Sequence, residues 1–327
     1  MSTQPPKSTG GTYAATHCPA RKQILCNNGN VIFTDHRTKG ALMRCLVINL
    51  DRSRDRLAHV ASEFGRIGVP LERVSAIDCP DCCSVAKSPL SAAEVCCFLS
   101  HRSCREIVAN GADQYGAVFE DDVVFGAGAG SLLASDRWVP RDADVIKLET
   151  HFAKVRVGRK EVALDDGFSL ARLYGLHAGA AGYVLSRSAA QRLLRRTMHL
   201  RGEVDFVLFH PGFMTCSLNR IYQIMPALCA QHHFVSGRER FPSLVRRPGR
   251  RPKEFLDRIV GEAVRTFAYL RNQSLTGTKK IEAVAFSDSE VDDKPVHGAF
   301  VYGQPEHGHL YEAAGIPIAR KNSSTAR

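Results

Sequence analysis

Three carboxylates stand side by side at Glu120, Asp121 and Asp122, directly after the apolar run Ala117-Val118-Phe119 and before Val123-Val124-Phe125. The run reads as a short buried strand, and adjacent acids at its tip repel one another unless a cation neutralises them. Carboxylate oxygen is the natural ligand of Mg²⁺ and Mn²⁺, which usually sit on one or two protein carboxylates plus substrate phosphates. The carboxyl end of a strand is also where open α/β sheets bind ligands. The bland alternative is an acidic turn facing water, and the tripeptide alone does not exclude it.

The elements that would position these acids follow from periodicity. Apolar runs at 45–48, 74–77, 144–148 and 181–185 predict buried strands, alongside the strand that carries the acids. A helix is expected over 55–67, with Leu57, Val60, Ala61 and Phe64 on one face and Gly68 closing it. Ser91-Ala92-Ala93-Glu94 has the form of a capping box, so a second helix should run through His101 to Val108 and stop at Asn110-Gly111. Ser186 is placed to cap a third, containing Ala189, Ala190, Leu193 and Leu194. Strands alternating with helices predict an α/β fold with a mostly parallel central sheet covered by helices.

Composition bounds the alternatives. The 327 residues suffice for one large core or two small ones, and the 44% hydrophobic and 24% charged fractions are ordinary for a globular protein. No stretch approaches the roughly 18 apolar residues of a membrane span, and Met1 to Gly11 lacks the apolar core of a signal peptide. A cytoplasmic protein is therefore expected. The 11 cysteines are odd in number and several sit inside apolar segments, which suits reduced core thiols. Cys79, Cys82 and Cys83 lack the second, suitably spaced pair of a zinc finger.

The net charge of +11 is uneven. Between Gly237 and Arg258 there are eight Lys or Arg against three acids, including Arg246, Arg247, Arg250 and Arg251. The following segment, from Phe255 to Leu270, has helical spacing with Arg258 and Arg265 interspersed. Residues 238–271 thus read either as a solvated linker with a packed helix or as a peripheral contact with an anionic membrane surface. The expected division is an N-terminal extension over 1–40, a main domain over 41–240, the basic linker and amphipathic helix over 241–275, and a polar tail over 276–327, partly disordered.

The order of the motifs says more than the fold class. The succession from Val47 to Arg56, then Val74-Ser75-Ala76-Ile77-Asp78, then Glu94-Val95-Cys96-Cys97-Phe98-Leu99-Ser100-His101, then Phe119-Glu120-Asp121-Asp122-Val123 resembles glycosyltransferase family 25. These are the bacterial lipooligosaccharide galactosyltransferases and the related collagen galactosyltransferases. Later elements agree: Asp144 to Glu149, the strand from Ala180 to Ser186, Glu203-Val204-Asp205, and Pro226 with Gln231. Each motif is weak alone; eight in register, across about residues 43 to 236, are specific. The chain departs from the pattern at Cys104, where an aromatic residue is typical, and beyond Phe241.

The resemblance implies a GT-A-type nucleotide-sugar-binding fold, a UDP-sugar donor (UDP-galactose first), Mn²⁺ or Mg²⁺, inversion at the anomeric carbon, and a glycan or lipid-linked saccharide acceptor. Glu120, Asp121 and Asp122 become the expected metal-binding acids, because charge developing on a diphosphate leaving group calls for a Lewis acid. Inversion calls for a carboxylate base. Asp205, between Val204 and Phe206 at the start of an apolar run, is the first candidate and Glu203 the second; Asp205 could instead be an N-cap or a further metal ligand. Asn49, Arg52, Arg54 and Arg56 follow the first strand, where base and ribose bind in this architecture, and arginine suits phosphate. The resemblance also assigns Ser100, His101, Lys147 and Gln231 to the donor site; His232 or His233, directly after Gln231, could complete the metal shell as a nitrogen ligand, although Mg²⁺ and Mn²⁺ prefer oxygen. The segments 79–89 and 152–168 are expected to be acceptor loops.

Two other classes compete. A metal-dependent phosphoesterase or nuclease would use the same acids but needs a second cluster, for which Asp165-Asp166 is the nearby candidate. A nucleic-acid-binding protein would explain the charge, yet the basic excess is concentrated in one arginine-proline stretch without a recognition motif elsewhere. Nucleic acid is therefore not an expected partner.

Overall fold

The structure, a computed structural model, describes residues 42–78, 90–200, 202–236, 241 and 278–287, and the backbone of 24–27 and 30–33. The loop 79–89 with its three cysteines lies outside the described residues. So does the basic segment 238–271, Phe241 excepted, and with it the expected membrane contact.

In chain order, β1 (Ile24–Asn27) and β2 (Asn30–Phe33) pair antiparallel with each other. They are followed by β3 (Arg44–Asn49), α1 (Arg54–Ile67), β4 (Glu72–Ser75), α2 (Ala92–Asn110), β5 (Tyr115–Glu120) and β6 (Val123–Phe125). Next come α3 (Ala129–Leu133), β7 (Val145–Lys147), β8 (Glu149–Thr150), β9 (Lys154–Ala163), β10 (Ser169–Leu173) and β11 (Gly182–Ser186). The remaining elements are α4 (Arg187–Arg196), α5 (Val204–Phe209), α6 (Met214–Ser217), β12 (Ile221–Met225), β13 (Cys229–Gln231), α7 (His232–Ser236) and β14 (Lys279–Ala283).

Nine strands form the central sheet in the order β14-β9-β10-β12-β7-β11-β5-β3-β4, and β6-β13-β8 form a small second sheet. The fold is mixed α/β, but the expected mostly parallel sheet is not what forms. Only β12–β7, β5–β3 and β3–β4 are parallel, and the other five central pairings are antiparallel. The parallel part is the β3-α1-β4-α2-β5 stretch, where each crossover carries a helix. Beyond it β11 enters antiparallel between β5 and β7, and β9 folds back on β10. Segment 152–168, expected as a loop, is largely strand: Val155 and Val157 alternate into the core, and the outer half, Lys160 to Ala163, is exposed. β14, from the segment expected as a polar tail, adds an edge to β9, with Lys280 paired to Glu161 at 2.6 Å.

Both faces of the sheet are covered, which is why its inner strands are nearly continuous apolar runs. Leu46, Ile48 and Val118 point to one side, where Phe98 and Cys104 of α2, Leu193 of α4 and Val207 of α5 meet them. Cys45, Val47 and Phe119 point to the other, against Val60 and Phe64 of α1 and Phe125 of β6. Burying each such Leu or Phe contributes about 1.5–3 kcal/mol.

The helix ends are where local chemistry puts them. Gly68 closes α1 in the left-handed conformation (φ 69°), donating to Gly65 O and Phe64 O. At α2 the capping box forms, with Glu94 N on Ser91 Oγ at 3.3 Å and Ser91 N on Glu94 Oε2 at 2.7 Å. The Ser91 cap is worth about 1 kcal/mol. Among the described residues no helix is long and apolar enough to cross a membrane.

The small sheet lies close against the central one. Leu148 N donates to Gly182 O, and Leu148 O accepts from Leu228 N and Cys229 N. A Cβ on Gly182 would stand 2.4 Å from Cys229 Sγ, so this approach requires glycine. Gly182→Ala should therefore lower stability by about 1–3 kcal/mol, the range for overpacking. Adding Cys229→Ala should recover part of the loss, read as urea midpoints. An unchanged midpoint for the single variant would mean that the two sheets are not held this tightly.

Candidate functional site

β5 delivers Glu120 at its carboxyl end, and a two-residue turn places Asp121 and Asp122 before β6. Four other elements converge there. From the end of β3, Asn49 Nδ2 donates to Asp121 Oδ2 at 2.7 Å; from the first turn of α1, Arg56 Nε donates to Asp121 Oδ1 at 2.6 Å. Arg56 Nη2 lies 3.1 Å from Asp122 Oδ2. From β13, Gln231 Nε2 lies 3.2 Å from Asp122 Oδ2 and 3.5 Å from Glu120 Oε2. From α2, His101 Nε2 lies 3.3 Å from Glu120 Oε1, while its Nδ1 meets the Tyr183 hydroxyl at 3.1 Å.

Charge is unevenly balanced across the three acids. Asp121 and Asp122 are both buried, and Asp121 holds the Asn49 amide and the shorter of the two contacts that Arg56 makes with the pair. Burial raises the Glu120 carboxyl well above the usual range, and Asp121 adds to the rise while Arg56 opposes it. Burial and then Glu120 do the same to Asp122, again against Arg56. Burial, with the Arg105 guanidinium adding to it, holds His101 down at about 3, so its ring is neutral. With Glu120 ionised, that neutral ring fits in one tautomer: Nε2–H donates to Glu120, and Nδ1 accepts from Tyr183.

This donor set suits a hard divalent cation at two of the three acids. Glu120 and Asp122 share the Gln231 amide and keep a raised affinity for protons although Arg56 Nη2 also reaches Asp122, whereas both oxygens of Asp121 are committed to Asn49 and Arg56. The three acids do not gather as one ligand set. Among the described residues the group of three potential ligand atoms within 4.8 Å of one another is Cys97, His101 and Glu120. The ring of His232 turns elsewhere: its Nδ1 meets Ser236 Oγ at 3.1 Å, and its backbone N–H, not its imidazole, bonds Asp122 O at 2.8 Å. His233 packs on Phe234 with ring centroids 3.9 Å apart.

Other expected site residues fall into distinct places. Asp205 is in the first turn of α5, with Oδ2 accepting from Gly179 N at 3.0 Å and Oδ1 from Phe206 N at 2.8 Å. Glu203 is the N-cap residue of that helix. Asp205 is near enough to Glu120 to raise its carboxyl. Lys147 is fully buried, and its ammonium donates to Glu149 Oε1, Ala178 O and Gly179 O at 2.8, 2.9 and 2.7 Å, which uses all three protons. Ser100 Oγ donates to Cys96 O and accepts from Ile77 N at 2.9 Å, tying α2 to the chain after β4. Arg52 is more than half exposed and pairs with Asp78. Asp165 and Asp166 form an exposed turn, with Asp166 at φ 56°, and gather no second acid cluster of the kind a two-metal phosphoesterase needs.

Several participants were missed by sequence reasoning. Tyr183 lies on a predicted strand with no motif of its own, and Arg73, whose Nε donates to Asn49 Oδ1 at 3.0 Å, directly precedes the strand predicted at 74–77. Glu149 was noted only for its place in a motif. Cys97 had a usable signal: it precedes His101 by four residues on a predicted helix, which puts the two on one face.

The family model described as "Glycosyltransferase family 25 (LPS biosynthesis protein)" matches residues 43–208. The chain is 35% identical over 204 residues to the lacto-N-neotetraose biosynthesis glycosyltransferase LgtE of Neisseria gonorrhoeae, covering 57% of this chain and 72% of that protein. It is 36% identical over 212 residues to LgtB of the same organism, covering 57% and 73%. The lipooligosaccharide biosynthesis protein lic2B of Haemophilus influenzae is 26% identical over 203 residues, covering 57% and 74%.

Arg56 is the one guanidinium bonded to both Asp121 and Asp122 in these contacts. Arg56→Met should destabilise the protein by about 2–4 kcal/mol at pH 8, since it strands buried carboxylates. The loss should shrink at pH 5. Without Arg56 the Asp122 and Glu120 carboxyls are raised further, the folded protein binds protons that the unfolded chain does not, and stability recovers as pH falls. Urea titrations at the two pH values check this; a loss that grows toward pH 5 would refute the charge balance described.

Proposed function

Because the chain belongs to glycosyltransferase family 25, we propose that this glycosyltransferase moves galactose from UDP-galactose, with inversion, onto the saccharide of a lipooligosaccharide. The observation that carries the proposal is the pair Glu120 and Asp122, the first partly buried and the second buried, two carboxyls with raised proton affinity at the end of a central strand, with Asp205 close by. The relatives support the acceptor class, since their names place them in lacto-N-neotetraose and lipooligosaccharide biosynthesis. The mixed sheet with acids at a strand end is what a GT-A-type donor site would use.

Glu120 and Asp122 would hold Mn²⁺ or Mg²⁺, which when bound supplies Lewis-acid stabilisation to the diphosphate leaving group. Asp121 stays in the protein frame, fixing the turn through Asn49 and Arg56. Gln231 and His101 orient the two ligating carboxyls from opposite elements. Arg56 keeps positive charge beside the site where phosphate would lie. Asp205 takes the proton from the attacking hydroxyl; its two backbone hydrogen bonds fix its orientation and leave a lone pair on each oxygen. Glu203, the N-cap residue two positions before it, is the alternative base.

Asp122→Asn keeps shape and removes charge, so Mn²⁺-dependent binding of UDP-galactose should be lost while the fold survives. In the parent, Mn²⁺ should raise the melting temperature more at pH 8 than at pH 5.5, because at the lower pH the raised carboxyls hold protons that the ion must displace. Equal binding of UDP-galactose in excess chelator would remove metal dependence from the proposal.

Asp205→Asn should retain donor binding yet slow transfer by about two to four orders of magnitude, the usual range for a general base. Near-normal transfer would shift the role to Glu203, and loss of Mn²⁺ affinity would make Asp205 a ligand.

A further inference from the structure

Helix α2 presents Cys97 and His101 four residues apart on one face, and β5 brings Glu120 up against them. One ligand atom from each lies within 4.8 Å of the other two, and His101 Nε2 is already 3.3 Å from Glu120 Oε1. Tetrahedral zinc ligands, at about 2.0–2.3 Å from the ion, stand roughly 3.3–3.8 Å apart, so a small side-chain adjustment completes the set. Sulfur, imidazole nitrogen and one carboxylate oxygen form a borderline-soft donor set, which favours Zn²⁺ over Mg²⁺ or Mn²⁺.

Burial and the neighbouring Glu120 push the Cys97 thiol up, so the ion must displace its proton; the other surroundings favour ligation. The Tyr183 hydroxyl can accept as well as donate, so it holds the His101 ring when Nδ1 carries the proton and Nε2 is free to bind a metal. Cys97 is only half-buried and about a quarter of the Glu120 side chain is exposed, which leaves a path for an ion.

We propose that Cys97, His101 and Glu120 form a site for Zn²⁺ or a similar thiophilic divalent ion, and that its occupancy blocks sugar transfer by taking Glu120 from the hard-cation pair. Ligation needs the thiolate, so the Cys97 proton leaves to solvent as the ion enters, and the fourth coordination position is open to water. The site itself follows from the three side chains; the inhibition rests on the function proposed above.

The test uses the full chain, reduced and stripped with chelator. Addition of Co²⁺ should produce near-ultraviolet thiolate-to-cobalt absorption, which Zn²⁺ bleaches at one equivalent. Cys97→Ser and Cys97→Ala should lack that absorption and bind Zn²⁺ at least about a hundredfold more weakly, exceeding the effect of losing an outer partner. A Cys82→Ser, Cys83→Ser variant should keep it. Asp122→Asn should keep it too, which separates this site from the hard-cation pair. In Mn²⁺-supported transfer, micromolar Zn²⁺ should inhibit the parent and spare Cys97→Ser, whose zinc-free rate should match the parent's. Cobalt absorption that persists without Cys97, or its absence from the folded parent, overturns the site. Absorption through Cys97 with transfer indifferent to zinc overturns the inhibition. A parent that binds cobalt through Cys97 but has no glycosyltransfer activity supports the site and refutes the function proposed above.

Discussion

Compensating the carboxylates at the end of β5 is the constraint on which the arrangement of the site depends. A buried charge left unpaired costs several kcal/mol, so Asp121 and Asp122 can be held at the tip of a core strand only if partners reach them. Those partners come from elements distant in sequence. Asn49 ends the neighbouring parallel strand, Arg56 starts the helix that follows it, and Gln231 arrives on the small sheet more than a hundred residues later. Satisfying one turn therefore ties β3, α1, β5 and β13 together. The charge balance stops short of complete: Asp121 is fully served, while Glu120 and Asp122 keep a raised affinity for protons. A site that remains electron-rich after folding is one that can bind a cation.

A second buried ionic layer holds the opposite side. Lys147 and Glu149, two residues apart at the junction of β7 and β8, bind the chain that leads into β11: Lys147 through the carbonyls of Ala178 and Gly179, and Glu149 through Ala181 N. The Lys147 ammonium also lies 4.3 Å from the centre of the Phe209 ring on α5. Gly179 has φ 88°, and a Cβ there would stand 2.9 Å from a Glu149 oxygen, so only glycine fits. Its N–H bonds Asp205, which links the start of α5 to the same segment. Buried ion pairs add little net stability. This one fixes geometry, anchoring a segment that bonds Asp205 through Gly179 N and the Glu120 backbone through Ala181 O.

Hard and soft donors meet at Glu120. On one side it adjoins Asp122 across the Gln231 amide, and on the other it adjoins His101 and Cys97. The same carboxylate thus belongs to two possible ligand sets with opposite metal preferences. His101 is the hinge between them, because its two nitrogens are shared between Glu120 and a hydroxyl that can serve either tautomer.

Local signals determined much of this protein. The capping box at Ser91, the left-handed Gly68 and the apolar runs that became β3, β5, β7 and β11 each depend on residues within a few positions, and they formed within a residue or two of where the pattern put them. The order of the motifs identified the family for the same reason, since it is a property of the chain and not of contacts. Strand direction was not legible. Antiparallel β11 looks like any other apolar segment, and the charged β9 like a loop, until the connections close in space, because alternation records which faces are buried and not which neighbour a strand takes. Partnership within the site was hidden likewise. Nothing in Glu120-Asp121-Asp122 says that Asn49 and Arg56 would take both oxygens of Asp121 while Asp122 shares Arg56 with it and Glu120 turns to Gln231 and His101. Only the packing of β3, α1, α2 and β13 around β5 sets those partners.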